Sequence, residues 1–209
     1  MIVRLLLIVL GLATLGVASR VLLPTEEVVV VGNHHLSAAE VRKRTGLEPG
    51  TPWLWAWPYK LKGLEGDPWV KQARLERPKA GKLRIVLEER QPIATLVRGE
   101  QRQGLAADGT FLPKAALIKP VLEGVGVVPV RDLLVLIKTF PKVQKISFNP
   151  AGYSLEWEGV RVWGPNIMEL QRWAQGGKMG ASIKTVTSAK TVASAMTVNV
   201  YSWGVSQRR

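Results

Sequence analysis

The chain has 209 residues, 46% hydrophobic and 22% charged, with no cysteine and two adjacent histidines, His34 and His35. That composition excludes a disulfide framework, thiolate metal sites, cysteine nucleophiles and a histidine-rich metal centre, and the length allows one large or two small cores. Lys and Arg outnumber Asp and Glu by 29 to 16, a net charge of +13 that favours a polyanionic neighbour, either nucleic acid or an anionic membrane and wall.

The first element is apolar. Leu5 to Ser19 carries no charge and lies between Arg4 and Arg20. Fifteen helical residues rise about 22 Å, short of a hydrocarbon core of roughly 30 Å. Ile2 to Leu23 would rise about 33 Å, provided the Arg20 guanidinium snorkels outward. Pro24 stops such a helix because it lacks an amide and clashes with the preceding turn. The pattern predicts a transmembrane helix over residues 4–24, a short cytoplasmic N-terminus at 1–3, and an extracytoplasmic remainder. The rival is a cleaved signal peptide with Gly16-Val17-Ala18 at the cleavage site. Both readings take the bulk of the chain out of the cytoplasm.

Val28 to Val31 is a β-branched run closed by Gly32-Asn33, and it predicts a strand. Ser37 and Glu40 form a capping box, with Leu36 and Val41 at the staple positions. The helix should run from Ala38 to Thr45 and end at Gly46, where a left-handed residue is needed. Pro49 to Trp57 reads as a loop holding Trp53, Trp55 and Trp57. Burial between helices and sheet is the favoured reading of these tryptophans, against a stacking platform or an interfacial belt; Trp69 is expected in the core. Pro58 opens a second helix with Leu61 and Leu64 on one face, ended by Gly66-Asp67. Two strands follow, Trp69 to Arg77 and Lys82 to Arg90, joined through Pro78-Lys79-Ala80-Gly81. In the second, Leu83, Ile85 and Leu87 alternate with Arg84 and Glu88, so one face is apolar.

The distal region is mixed, with strands dominating. Asp108-Gly109 signals a hairpin. Val130 to Phe140 has helical spacing and is closed by Pro141. Val143–Phe148, Tyr153–Trp157 and Val160–Trp163 predict a meander, turned at Asn149-Pro150-Ala151-Gly152 and Glu158-Gly159. Asn166 can cap a helix through Ala174. The Ser, Thr, Ala and Lys-rich stretch from Lys178 to Ala195 is ambiguous. Thr197 to Gln207 reads as one strand, with Val198, Val200 and Ser202 on one face and Asn199, Tyr201 and Trp203 on the other.

No catalytic constellation emerges. Glu156 and Glu158 lie two apart on a predicted strand, the only arrangement that could split into acid and base, and a solvated face is the simpler reading. Glu88 and Glu89 point to opposite faces. His34-His35 fits a surface loop better than a metal site. Gly124-Val125-Gly126 lacks the Lys-Ser or Lys-Thr of a phosphate loop. The expectation is a binding protein without catalytic residues, metal or cofactor.

Several motifs together carry a resemblance. Gly32-Asn33 with Leu36-Ser37, Pro68-Trp69-Val70, Leu83-Arg84-Ile85-Val86 and Glu88-Glu89-Arg90-Gln91-Pro92-Ile93-Ala94 resemble the POTRA domain of the bacterial FtsQ/DivIB division family. Asp108-Gly109-Thr110-Phe111 and Pro120-Val121-Leu122-Glu123-Gly124 resemble segments that follow it, with Lys119 in place of a Leu. The resemblance implies an α+β chain: a single transmembrane helix, a β-α-α-β-β POTRA domain over 25–92, and a β-rich mixed α/β domain over 93–209. It implies a non-enzymatic divisome scaffold in the inner membrane, at the septum, that binds FtsB and FtsL by adding a strand to its own last strand.

The family's Val-Asp-Leu-Arg-Tyr pattern stands here as Val198-Asn199-Val200-Tyr201-Ser202, so only the first position matches. The expected partner-binding segment is Val198, Asn199, Val200, Tyr201, Ser202, Trp203 and Gly204, with Tyr201 and Trp203 as anchors. A tethered or secreted nucleic-acid-binding protein, using the basic surface and the tryptophans, is the alternative. A POTRA-bearing transport chaperone fits less well, since no repeated POTRA unit follows.

Overall fold

Strand β3 (Lys82–Glu89) shows how the first unit is organised. Its residues alternate between inside and outside, placing Leu83, Ile85 and Leu87 under the helices and Arg84 and Glu88 in solvent. The computed structural model describes residues 6, 10–11, 13–14, 16–19, 21, 23–176 and 197–208. They divide into two compact units, Met1–Arg90 and Gln91–Arg209. The strand that begins at Pro92 lies in the second of these.

In the first unit β1 (Glu27–Val31) runs parallel to β3, and β2 (Val70–Lys79) runs antiparallel on its other side, giving the order β1-β3-β2. Helix α1 (Ala38–Thr45) starts at Ser37, whose hydroxyl accepts from the Glu40 amide at 3.2 Å. The Glu40 carboxylate turns instead to Arg44, at 2.5 Å, so the expected box is realised on its Ser37 side. Leu36 and Val41 are buried, as the staple requires. Gly46 takes the left-handed conformation.

The expected second helix is shorter and tighter than its sequence indicates. Pro58–Leu61 is 3₁₀, and α2 (Lys62–Glu65) adds a single turn. Leu61 and Leu64 still reach the core, joined by Val28, Leu47 and Val70. Full burial of a Leu or Ile side chain contributes about 1.5–3 kcal/mol, so this small cluster dominates the unit's stability.

The second unit is one nine-stranded sheet, ordered β12-β11-β10-β9-β8-β7-β4-β5-β6. β4 (Pro92–Arg98) and β5 (Gln101–Ala106) form a hairpin, and Asp108-Gly109 turns the chain into β6 (Phe111–Pro113). β7 (Val121–Gly124) lies parallel between β4 and β8 (Val143–Asn149). β8, β9 (Gly152–Trp157) and β10 (Val160–Gly164) make the expected antiparallel meander. Helices α3 (Val130–Thr139) and α4 (Ile167–Gln175) both supply the core: Leu133, Leu136, Leu170 and Trp173 pack with Phe140, Ile146, Leu155 and Trp157. Asn166 caps α4 as predicted, its side-chain oxygen accepting from the Glu169 amide at 3.0 Å. The Lys178–Ala195 stretch lies outside the described residues.

Two expectations are corrected here. Thr197 to Gln207 is not one strand but a hairpin, β11 (Thr197–Tyr201) and β12 (Gly204–Arg208), turned at Ser202-Trp203. The alternation misled because Gly204 supplies a turn exit that period-two counting overlooks. Trp55 and Trp57 are also less buried than expected, at 40% and 52% exposed, while Trp53 packs half-buried against the core as expected and Trp69 is half-buried. The small core, already filled by leucines, admits one of the three indoles of the loop.

Candidate functional site

The C-terminal hairpin closes one end of the large sheet. β11 is parallel to β10 and antiparallel to β12, so both of its edges are taken. Val198 and Val200 are buried in the core. The expected edge at Val198–Tyr201 is therefore interior, and the outer strand is β12. No described residue pairs with the far side of β12.

The hairpin register assigns each backbone group. Tyr201 opposes Gly204 across a two-residue turn, Val200 opposes Val205, and Asn199 opposes Ser206. In such a turn the flanking pair exchanges hydrogen bonds, and bonded and non-bonded pairs alternate from there. Gly204, Ser206 and Arg208 thus bond inward to β11. Val205 and Gln207 present their N–H and C=O groups to the open edge.

An aromatic row runs beside this edge. Trp163 on β10 meets Tyr201 at 5.6 Å between ring centroids, and Tyr201 stacks on Trp203 at 4.9 Å and 7°. Trp203 is 79% exposed at the turn, with Ser202 beside it. A cleft of about 270 Å³ lies between α4 and the hairpin, lined by Glu169, Arg172, Trp173, Tyr201, Trp203 and Val205. The Glu169 carboxylate accepts both of its bonds from Arg172, at 3.0 and 3.1 Å. Among the described residues, the buried Trp173 Nε1 has no acceptor.

Of the seven expected contact residues, the structure brings Tyr201, Ser202, Trp203 and Gly204 to the surface at or beside the edge. Val198 and Val200 belong to the core, and Asn199 sits mid-strand. Sequence reasoning did not reach Val205 and Gln207 as edge-facing residues. The turn glycine at 204 is the signal that would have found them.

The other candidates fall elsewhere. Glu158 lies in the β9–β10 turn with φ 48°, not on the strand with Glu156, so the two carboxylates do not share a strand face. Glu156 is exposed beside Arg161, at 3.5 Å. Glu88 is exposed and pairs with Lys71 at 2.5 Å, whose ammonium holds the carboxyl below its ordinary value. Glu89 points inward, as the alternation predicts, and is only 8% exposed. It accepts from the backbone amides of His34, His35 and Leu36 at 3.0, 2.6 and 3.0 Å. The His pair thus belongs to a structural loop, where the His35 ring also stacks on Trp69 at 3.7 Å. In the second unit, burial and a hydrogen bond to the Asp132 carboxylate push the Tyr153 phenol up to about 12. No group of three or more metal-ligating side chains occurs among the described residues.

These features define an α+β protein with a small three-stranded unit and a large sheet whose β12 end is an aromatic-flanked edge that no described residue pairs with. Residues 23–90 match the family described as POTRA domain, FtsQ-type, which supports the FtsQ/DivIB assignment made on the sequence motifs. No curated protein matches the chain. A POTRA domain of this type points to a role in cell division.

Proposed function

We propose that the protein is a non-enzymatic scaffold of the division machinery that captures FtsB, with FtsL, by β-addition at β12, and so helps recruit and regulate septal wall synthesis. The observation that carries this reading is the terminal place of β12 in the sheet, with Val205 and Gln207 offering backbone groups that have no partner among the described residues. An added strand supplies main-chain bonds, and flanking pockets supply choice of side chain. Trp203 and the cleft against α4 provide a rim and a pocket beside the edge. FtsQ-type POTRA proteins are division-site membrane proteins and scaffolds, and the same placement is proposed here, with residues 4–24 as the anchor. Among the described residues no helix is long and apolar enough to cross a membrane. Support for the anchor comes from the uncharged Leu5–Ser19 run and from Leu6, Leu10, Val17 and Val21, all more than half exposed on helical backbone.

The test is co-purification of FtsB with the full chain carrying Gln207→Pro. This change removes an edge N–H and leaves the β11 ladder intact, so capture should be lost while the fold is kept. Undiminished capture by a folded Gln207→Pro protein would refute strand addition at β12.

A further inference from the structure

The loop Trp53–Tyr59 exposes large apolar side chains with no place in the core: Leu54, Trp55, Trp57 and Tyr59 are 41, 40, 52 and 62% exposed. Several contacts hold the loop in place. Trp53 Nε1 donates to the Lys82 carbonyl at 3.2 Å. The Arg77 guanidinium lies 5.3 Å from the Trp53 ring centroid and 5.8 Å from that of Trp57, and it donates to the Ala56 carbonyl. Indoles fixed in this way on the outside of a domain are positioned for an external surface.

The identity of that surface follows from where the loop is tied. Leu23 to Thr25 zips onto Gly50 to Trp53: Trp53 N donates to Leu23 O at 3.1 Å, Thr25 N to Thr51 O at 2.8 Å, and Gly50 N to Thr25 O at 2.8 Å. Trp55 Nε1 donates to Ser19 Oγ at 2.8 Å. Ser19 lies in the last helical turn, since its carbonyl still accepts from the Leu23 amide at 3.2 Å. It is also the last uncharged residue before Arg20. The Trp55 ring is therefore held about one helical turn before Leu23, where the apolar segment closes. In a helix spanning from Ile2 to Leu23 that is the headgroup–acyl boundary, where Trp and Tyr partition. Exposed Lys62 lies close by in sequence and matches anionic headgroups.

We propose that Trp53–Tyr59 is an interfacial foot that seats the POTRA domain on the lipid surface and fixes its orientation to the bilayer. The occupant is the headgroup–acyl boundary of the membrane, entered by Leu54, Trp55, Trp57 and Tyr59. The proposal rests on the anchor reading and adds a second, peripheral attachment to it.

The cysteine-free chain allows single-site labelling. The full chain is reconstituted in phosphatidylcholine–phosphatidylglycerol vesicles with one environment-sensitive fluorophore at Leu54→Cys, Tyr59→Cys, Leu10→Cys or Glu88→Cys. Glu88 is an exposed residue at the opposite end of β3 from Lys82, which bonds the loop. Labels at 54 and 59 should emit at shorter wavelength than the label at 88. They should be quenched by lipids carrying a nitroxide near the headgroup more than by lipids carrying one at the acyl end. The label at 10 should be quenched by the acyl-end nitroxide. If 10 is quenched but 54 and 59 behave as 88 does, the foot is refuted and the anchor stands. If 10 is not quenched, the anchor fails and the foot with it. Circular dichroism of each labelled chain confirms that an unquenched loop is not an unfolded one.

Discussion

Glu89 offers a demanding test of how the POTRA unit holds together. Its carboxylate, at an inward position of β3, takes three amides from the loop that joins β1 to α1. In Glu89→Ala, the amide of Leu36, a residue only 5% exposed, loses its acceptor without ready replacement by water, which costs about 1–3 kcal/mol. The His34 and His35 amides lie at the exposed rim. A bond to a charged acceptor contributes about 1.5–3 kcal/mol, and exposure at the rim holds each of these two to the lower end. Relief of the carboxylate's own desolvation offsets part of this, leaving about 2–4 kcal/mol. At about 0.05–0.15 kcal/mol per residue, a domain of this size has roughly 3–10 kcal/mol in all. Hydrogen exchange on the full chain should show the Leu36 amide exchanging about 30- to 1,000-fold faster. Glu89→Gln should fall between, since an amide offers one acceptor and one donor where the carboxylate offered two acceptors. Exchange within a few-fold of wild type, with an unmoved thermal transition, would show that the carboxylate does not hold this loop.

Four further outcomes are expected. Ser206→Pro, which removes an inward ladder bond between β12 and β11, should lower the melting temperature of the second unit, whereas Gln207→Pro should leave it nearly unchanged; differential scanning calorimetry separates them. Trp203→Asp should weaken FtsB capture in pull-down assays by tenfold or more, on the order of an aromatic anchor that replaces solvent contact with partner contact, with no loss of fold because the ring is exposed. Gly124→Ala should destabilise the sheet by more than about 2 kcal/mol in urea unfolding, because a Cβ there would stand 2.2 Å from the Phe148 carbonyl oxygen and strand β7 is pinned on both sides. The neutral Tyr153 phenol, with its pKa raised from 10.0 to about 12, contributes stability that is fully present below about pH 10 and lost as pH rises through about 12. Ultraviolet titration should show a late tyrosinate phase that Tyr153→Phe removes.

What could be read from the chain depended on whether a residue's local pattern and its tertiary setting agreed. They agreed in β3, where Leu83, Ile85 and Leu87 alternate, in the Ser37 and Asn166 caps, and in the β8–β10 meander, because each signal is local and the core then rewards it. They diverged at Pro58, where a single leucine-lined turn against a small sheet needed only 3₁₀ and one α turn. They diverged again in the Trp53–Trp57 loop, where the leucine-filled core takes Trp53 but not Trp55 or Trp57, which the Leu23–Thr25 ladder and Arg77 hold outside. No local pattern announces that ladder, since its partners lie about 27 residues apart.

The candidate edge failed in the same way. Val198-Asn199-Val200-Tyr201 has the alternation of a strand, but alternation says nothing about what lies on either side of it. Parallel pairing to β10 across the α4 crossover moved that strand inward and passed the edge to Gly204–Arg208. The consequence is functional. Truncation before Val198 would remove buried Val198 and Val200 and confound loss of binding with loss of fold. Only a change confined to the outward groups of Val205 and Gln207 asks whether the edge itself binds.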